Sequence, residues 1–245
     1  MYASYEHPTI SMSICYYDTE YRRQTAECVL DILKRNQMFR PSRMDADHLT
    51  GGRMKKYTPD MEELFLRAYG EPDVLGIAWE SGDYRSGKDY MGFLWSLTFP
   101  KNSPHIQSSY HPWNVLSFTL CYDWLRDPAH HARLLQCTQE LSAALHAFHA
   151  SIDDTANEGA LLRKTGEPTF SPDHIQQVYW GNYWGEHLLS QAPVDALRAF
   201  KPRNYAKTGS GVFFTLTDSV FDFGSRACDQ QRKRIAAMLC GRNKR

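Results

Sequence analysis

Two histidines in the second half of the chain have the spacing of metal ligands. His146 and His149 are three positions apart, and the carboxylates Asp153 and Asp154 follow closely. The apolar period predicts a helix over residues 128–150, and side chains three apart on a helix share a face, so both imidazoles could bind one metal ion. However, each histidine directly follows a residue of the predicted buried stripe, Leu145 or Phe148. This position places both imidazoles on the solvent-exposed side of the helix. We therefore expect no metal site, and a metal-dependent hydrolase is the first alternative function.

Other signatures of catalysis are absent from the sequence. It contains no GxSxG nucleophile elbow, no HExxH zinc motif, no Walker phosphate loop and no GxGxxG dinucleotide loop. The adjacent Glu62 and Glu63 fall in the first turn of a predicted helix, where carboxylates stabilise the helix dipole without any catalytic role. We expect a protein that is not an enzyme and that binds no cofactor.

A dense aromatic segment, VYWGNYWGEHLL, occupies residues 178–189. Its glycines, Gly181 and Gly185, indicate turns or close approaches of the backbone. Tyrosine and tryptophan at this density are typical either of a core that locks a sheet to a helix or of a binding platform. The residues alone leave both interpretations open.

Together with GVFFTLTDSVFDF at residues 211–223, the aromatic segment resembles the immunity protein 52 family, α+β proteins encoded beside bacterial polymorphic toxins. The upstream order of strand, helix, VLGIAWE (74–80) and FLWSLTF (93–99) is similar to the same plan. The positions that match the motif are Trp180, Gly181, Asn182, Trp184 and Gly185. The resemblance implies an immunity protein that binds and neutralises a cognate toxin of a type VI secretion or polymorphic toxin system. It also implies that this toxin has a restriction-endonuclease-like nuclease domain, and it supplies no catalytic residues.

Charge is distributed unevenly along the chain, although its 28 basic and 28 acidic residues cancel. Residues 59–89 contain eight acidic and three basic side chains, a net charge of −5. An acidic surface of this kind could cover the basic DNA-binding cleft of a nuclease. Within this acidic block we predict that the toxin-binding residues are Glu80, Asp83, Tyr84 and Asp89.

The C-terminal residues 226–245 show the opposite bias, with seven basic and one acidic side chain, a net charge of +6. A basic C-terminal helix makes a nucleic-acid-binding adaptor the second alternative function. Lysine and arginine are also favoured near a helix C-terminus for reasons of helix stability alone. With no net charge on the whole chain, we expect no direct contact with nucleic acid.

The elements that must position these residues follow from the hydrophobic periods. Strands are predicted at residues 9–17, 74–79, 91–99, 114–122, 175–180 and 211–220, and helices at 20–34, 59–69, 128–150, 194–200 and 225–239. The polar residues 40–57 predict a long surface loop. We expect a single α+β domain over residues 1–245, with an antiparallel sheet of about six strands and helices packed mainly on one face.

The beginning of the sequence lacks the basic and apolar segments of a secretory signal. No stretch approaches the roughly 18 apolar residues of a membrane span, and six cysteines occur without a CxxC pair. We therefore expect a cytoplasmic protein with free thiols and no membrane partner, and the resemblance implies a toxin as its protein partner. The sequence is compatible with a monomer or a homo-oligomer.

Overall fold

The computed structural model describes residues 8–18, 20–45, 54–71, 74, 76–83, 86–97, 113–156, 171–175, 177–190 and 194–240. The strands in these ranges are β1 (Thr9–Tyr16), β2 (Arg43–Asp45), β3 (Lys55–Lys56), β4 (Gly76–Ser81), β5 (Met91–Ser96), β6 (Asn114–Cys121), β7 (His149–Asp154), β8 (Gly181–Trp184), β9 (Arg203–Thr208) and β10 (Gly211–Thr215). The helices are α1 (Arg23–Arg35), α2 (Met61–Ala68), α3 (Tyr122–Leu125), α4 (Pro128–Ala144), α5 (Glu186–Leu189), α6 (Val194–Ala199) and α7 (Arg226–Cys240), with a 3-10 turn at Val220–Asp222.

All ten strands in the described ranges form one antiparallel sheet, in the order β3-β2-β4-β5-β6-β1-β7-β8-β10-β9. The antiparallel α+β architecture is confirmed, whereas the expected number of about six strands is wrong. The short strands β2 and β3 lie in the predicted loop 40–57, and β9 has the polar sequence RNYAKT, so neither region shows an apolar alternation. The prediction of a strand at residues 175–180 is wrong: the described residues of this range form no strand, and β8 begins directly after them at Gly181.

The first face of the sheet is apolar and is covered by helices. The Thr138 hydroxyl of α4 donates to the sulfur of Met12 in β1 at 2.9 Å. The ring of Phe65 in α2 lies 5.6 Å from Trp95 in β5. Strand alternation places these buried residues on one side of β1, β4, β5 and β6: Ile10, Met12, Ile14, Ile77, Trp79, Phe93, Trp95, Leu116, Phe118 and Leu120.

The second face of the sheet is polar around its centre, and its polar residues on β1, β7 and β8 are buried. In register across β6, β1, β7 and β8, this face contains Ser117, Thr119, Ser11, Ser13, Ser151, Asp153 and Asn182. The guanidinium of Arg232 in α7 lies 3.6 Å from the Asp153 carboxylate, and the His149 ring lies 5.7 Å from Tyr179. The residues before β8 and helix α7 therefore contact this face.

Helix α4 ends six residues earlier than the sequence predicts, at a Schellman turn. His146 has the left-handed φ of +48°, and its N–H donates to the Ala143 carbonyl at 3.3 Å. The N–H of Ala147 donates to the Ser142 carbonyl at 2.9 Å, which completes the two hydrogen bonds of this cap. The chain can then enter β7 directly. None of the helices in the described part of the chain is long and apolar enough to cross a bilayer.

Candidate functional site

The aromatic motif is part of the buried core. Trp180, Asn182 and Trp184 are each 0% exposed. The side chain of Asn182 accepts a hydrogen bond from the Tyr179 N–H and donates one to the Tyr179 carbonyl, both at 2.9 Å, so it closes the turn into β8. The Trp180 indole donates to the Thr217 hydroxyl at 2.7 Å. These contacts fix β8 against its neighbours and leave no aromatic surface of the motif for a partner.

The two glycines of the motif are required by close backbone approaches. A Cβ atom at Gly185 would lie 2.5 Å from the Ala147 carbonyl oxygen, closer than real Cβ contacts allow. A Cβ atom at Gly181 would lie 3.1 Å from the side chain of Ile152 in β7. Of the two interpretations that the sequence left open, the core is therefore the one that the packing supports.

The structure separates the two histidines that the sequence placed on one helix. His146 is exposed in the Schellman turn, whereas His149 is buried at the start of β7. The predicted exposure of His149 is therefore wrong, because residues 149–154 form a central strand of the sheet. In the described residues, no group of three or more His, Cys, Asp and Glu side chains could hold a metal ion.

The carboxylates after His149 have structural contacts. The Asp153 carboxylate accepts hydrogen bonds from the N–H groups of Asp154 and Trp180, at 2.8 and 3.3 Å. The Tyr122 hydroxyl donates to Asp154 at 2.6 Å. Burial lowers the pKa of His149 to about 3, so its imidazole is neutral at physiological pH. This geometry does not favour a metal-dependent hydrolase.

The hairpin that joins β4 and β5 presents two of the predicted toxin-binding residues. Asp83 and Asp89 are both exposed there, and Tyr84 lies outside the described residues. The Asp83 N–H donates to the Lys88 carbonyl at 3.0 Å, which closes the turn. Gly82 has a φ of +69°, and a Cβ atom on it would lie 2.3 Å from the Asp89 carbonyl oxygen. The tight turn therefore depends on this glycine, and it holds the two carboxylates at one end of the sheet.

The acidic surface continues from the hairpin onto α3. Burial raises the pKa of the Cys121 thiol, and the carboxylates of Asp123 and Asp89 both contribute to this increase. Asp123 follows Cys121, the last residue of β6, by two positions and pairs with Arg126 at 3.4 Å. The N–H of Cys121 also donates to the Tyr90 carbonyl at 3.0 Å, so the hairpin and α3 are neighbours.

Other carboxylates of the acidic block are paired with cations from elsewhere in the chain. Glu80, the remaining predicted toxin-binding residue, forms an ion pair with Arg43 of β2. On α2, Glu62 pairs with Lys34 at 2.5 Å and Glu63 pairs with Arg23 at 2.7 Å. The net charge counted along residues 59–89 therefore overstates the negative field in this region. The pairing partners could not be found from sequence spacing, because they lie at least 28 positions away.

The basic C-terminal helix divides its cations between two environments. Arg232 points inward and lies near Asp153, while its N–H at Nε donates to the Val178 carbonyl at 3.1 Å. Arg226, Lys233 and Arg234 are exposed, and residues 241–245 lie outside the described residues. Arg234 also lines an open groove with Lys201 and other residues. These residues come from separate elements, so their spacing in the sequence does not indicate that they lie together.

Comparisons with known proteins identify a structural neighbour. No protein-family model matches the chain, and no curated protein matches its sequence. One similar solved structure is that of the Pseudomonas aeruginosa type VI secretion system (T6SS) protein PA0821, with a TM-score of 0.63 and 17% sequence identity. The alignment covers 93% of this chain and 73% of that one. At this level of identity the similarity shows that the two chains share a fold.

Proposed function

We propose that this protein is an immunity protein that binds and neutralises a cognate type VI secretion or polymorphic toxin, and that it acts by binding and not by catalysis. The main support is the fold, which matches a T6SS protein over 93% of the chain. The resemblance of the WGNYWG motif to the immunity protein 52 family supports the same function. The motif is buried, as expected for residues that define a fold.

The proposed target is a nuclease toxin with a basic DNA-binding cleft. Asp83 and Asp89 on the β4–β5 hairpin and Asp123 on α3 give one end of the sheet an exposed acidic surface, in which Asp123 also pairs with Arg126 at 3.4 Å and Lys88 of the hairpin is exposed. Complementary charge would steer the toxin onto this surface and would exclude DNA from its cleft. Because such a toxin attacks DNA inside the cell, we propose that the protein acts in the cytoplasm of the producing cell.

Co-expression with the product of the neighbouring gene tests this function directly. We expect that the neighbour alone arrests growth, that this chain restores growth, and that both proteins are recovered as one complex after affinity purification. A catalytically inactive neighbour should still bind, because inhibition depends on association and not on turnover. Toxicity without rescue, or rescue without a complex, would refute the proposed function.

A further inference from the structure

An open groove of about 550 Å³ lies between the end of α6, the start of β9 and α7. Its volume falls in the range of about 300–1,000 Å³ that is typical of ligand sites. The residues that line it are Ala199, Phe200, Lys201, Arg203, Gln231 and Arg234.

Three cations converge on this groove from three different elements. Lys201 lies in the turn after α6 and has a left-handed φ of +50°. Its N–H donates to the Arg198 carbonyl at 2.9 Å, and this hydrogen bond closes the turn. Arg203 begins β9, and Arg234 lies on α7. All three residues are exposed, and Arg203 contacts Asp218 at 3.6 Å. The fold therefore brings Lys201 and Arg203, which lie outside the basic C-terminal segment, next to Arg234 of that segment.

The surroundings of the groove favour an acidic peptide over a nucleic-acid backbone. Exposed carboxylates interrupt the positive charge around the groove: Asp195 lies on α6, Asp229 lies on α7, and Asp218 contacts Arg203. The cations therefore form a local cluster and not the continuous basic track that successive phosphates require. Phe200 is half-buried against the core and provides an apolar surface in the groove. Carboxylates can pair with the arginines in bidentate geometry while an apolar side chain packs on the aromatic ring.

We propose that this groove binds an acidic peptide segment with an apolar side chain, and that the segment belongs to the partner protein. The identity of that partner rests on the proposed function, whereas the chemistry of the groove does not. The partner would thus be held at two places, with its basic surface at the β4–β5 hairpin and an acidic segment in the groove.

A labelled peptide of four glutamates around one leucine tests the chemistry of the groove by fluorescence anisotropy at an ionic strength of about 0.15 M, where exposed charges more than about 8 Å apart are largely screened. A thymidine oligonucleotide of equal charge is the comparison ligand. We expect the peptide to bind the unmodified protein more tightly than the oligonucleotide. The triple variant Lys201→Gln, Arg203→Gln, Arg234→Gln should weaken peptide binding by about tenfold or more.

The control variant removes three exposed cations outside the groove: Lys56→Gln, Arg226→Gln and Lys233→Gln. It has the same net charge as the groove variant, so it should change peptide affinity by less than about twofold. Equal losses in the two variants, no binding to the unmodified protein, or tighter binding of the oligonucleotide would each overturn the inference. If the co-expression test fails but the groove still binds the peptide selectively, the proposed function is refuted and the peptide site stands.

Discussion

His149 is a titratable group that is buried at the start of β7. Burial alone lowers its pKa to about 3, and the ring packs edge-on against Tyr179 at 5.7 Å. In the unfolded chain an imidazole has a pKa of about 6.5. The imidazole therefore stays neutral in the folded protein, and the free energy of unfolding depends on pH through this residue.

Acidification should destabilise the protein through His149. Below pH 6.5 the unfolded chain takes up a proton that the folded chain does not, so the free energy of unfolding should fall by about 1.4 kcal/mol per pH unit toward pH 3. His131, whose pKa is also lowered by burial, should add to this slope. Urea denaturation between pH 7 and pH 4 should show a shallower dependence for His149→Phe. The exposed control His146→Gln should keep the original slope, and equal slopes in both variants would contradict this account.

Arg232 neutralises a carboxylate that has no exposed surface. Its guanidinium lies 3.6 Å from Asp153, which is 0% exposed, and also pairs with Asp229 at 2.9 Å. Removing the cation leaves the Asp153 charge buried, so Arg232→Gln should lower the free energy of unfolding by about 3 kcal/mol. Arg234→Gln on the same helix removes an exposed charge and should cost less than about 0.5 kcal/mol. Similar losses in the two variants would show that the buried pair has no special role.

Helix ends explain one of the largest differences between the predicted and observed elements. The period of α4 continues into residues 145–150, and no glycine marks its end, so the sequence predicts one helix where the structure has a helix and then β7. The Schellman turn has His146 at the left-handed position, where glycine is the usual residue. A second such turn ends α1 with Gln37, whose φ is +55°.

Glycine at the left-handed position should stabilise the end of α4. His146→Gly removes the steric cost of a φ of +48° and should raise the free energy of unfolding by about 0.5–1 kcal/mol. Ala144→Gly, two positions earlier and still helical, should lower it by about 1 kcal/mol. Thermal and urea denaturation of both variants measure these opposite effects. A loss of stability in His146→Gly would mean that the imidazole makes a compensating contact.

The approach between the start of α5 and the turn before β7 depends on Gly185. A Cβ atom there would lie 2.5 Å from the backbone oxygen of Ala147, and the Gly185 N–H donates to the Phe148 carbonyl at 2.9 Å. Gly185→Ala should therefore cost about 2 kcal/mol, because backbone and not a flexible side chain must move. Gly224→Ala, where nothing lies within 4 Å, is the matched control and should be nearly neutral. Urea midpoints compare the two.

Elements with a clear alternation or a side-chain cap were predictable from the sequence. The alternation in β1, β5 and β6 identifies these strands to within a few residues. Aspartate directly before Pro128 is typical of a helix N-cap, and the Asp127 carboxylate accepts a hydrogen bond from the Ala129 N–H at 2.8 Å. The strand order and the ion-pair partners were not predictable, because they depend on contacts between distant segments. For the same reason the sequence identifies the hairpin carboxylates but not the partner of Glu80 or the cations of the groove.

At the scale of the whole molecule, ion pairs between distant segments change how much charge each region of the sequence exposes. The carboxylates of α2 are matched by cations of α1, so the hairpin and α3 provide exposed acidic surface near the end of β6. Among the basic residues of α7, Arg232 pairs with the buried Asp153, whereas Arg234 lines the groove. The electrostatic field that a partner meets is therefore set by the fold and not by the charge of a sequence segment.

If the proposed function is correct, the hairpin should control how fast the toxin associates. Neutralising it with Asp83→Asn and Asp89→Asn preserves side-chain shape, and asparagine tolerates the left-handed φ of +52° at residue 89. We expect the association rate constant to fall about fivefold at low ionic strength and to match that of the unmodified protein in high salt, with little change in dissociation. The control Asp60→Asn with Glu71→Gln removes two exposed charges from the same acidic block but not from the hairpin, and should leave the rate nearly unchanged. Stopped-flow measurements against a catalytically inactive toxin distinguish the two. Equal slowing in both variants would indicate a general attraction to net charge, and an unchanged rate in the hairpin variant would place the toxin on another surface.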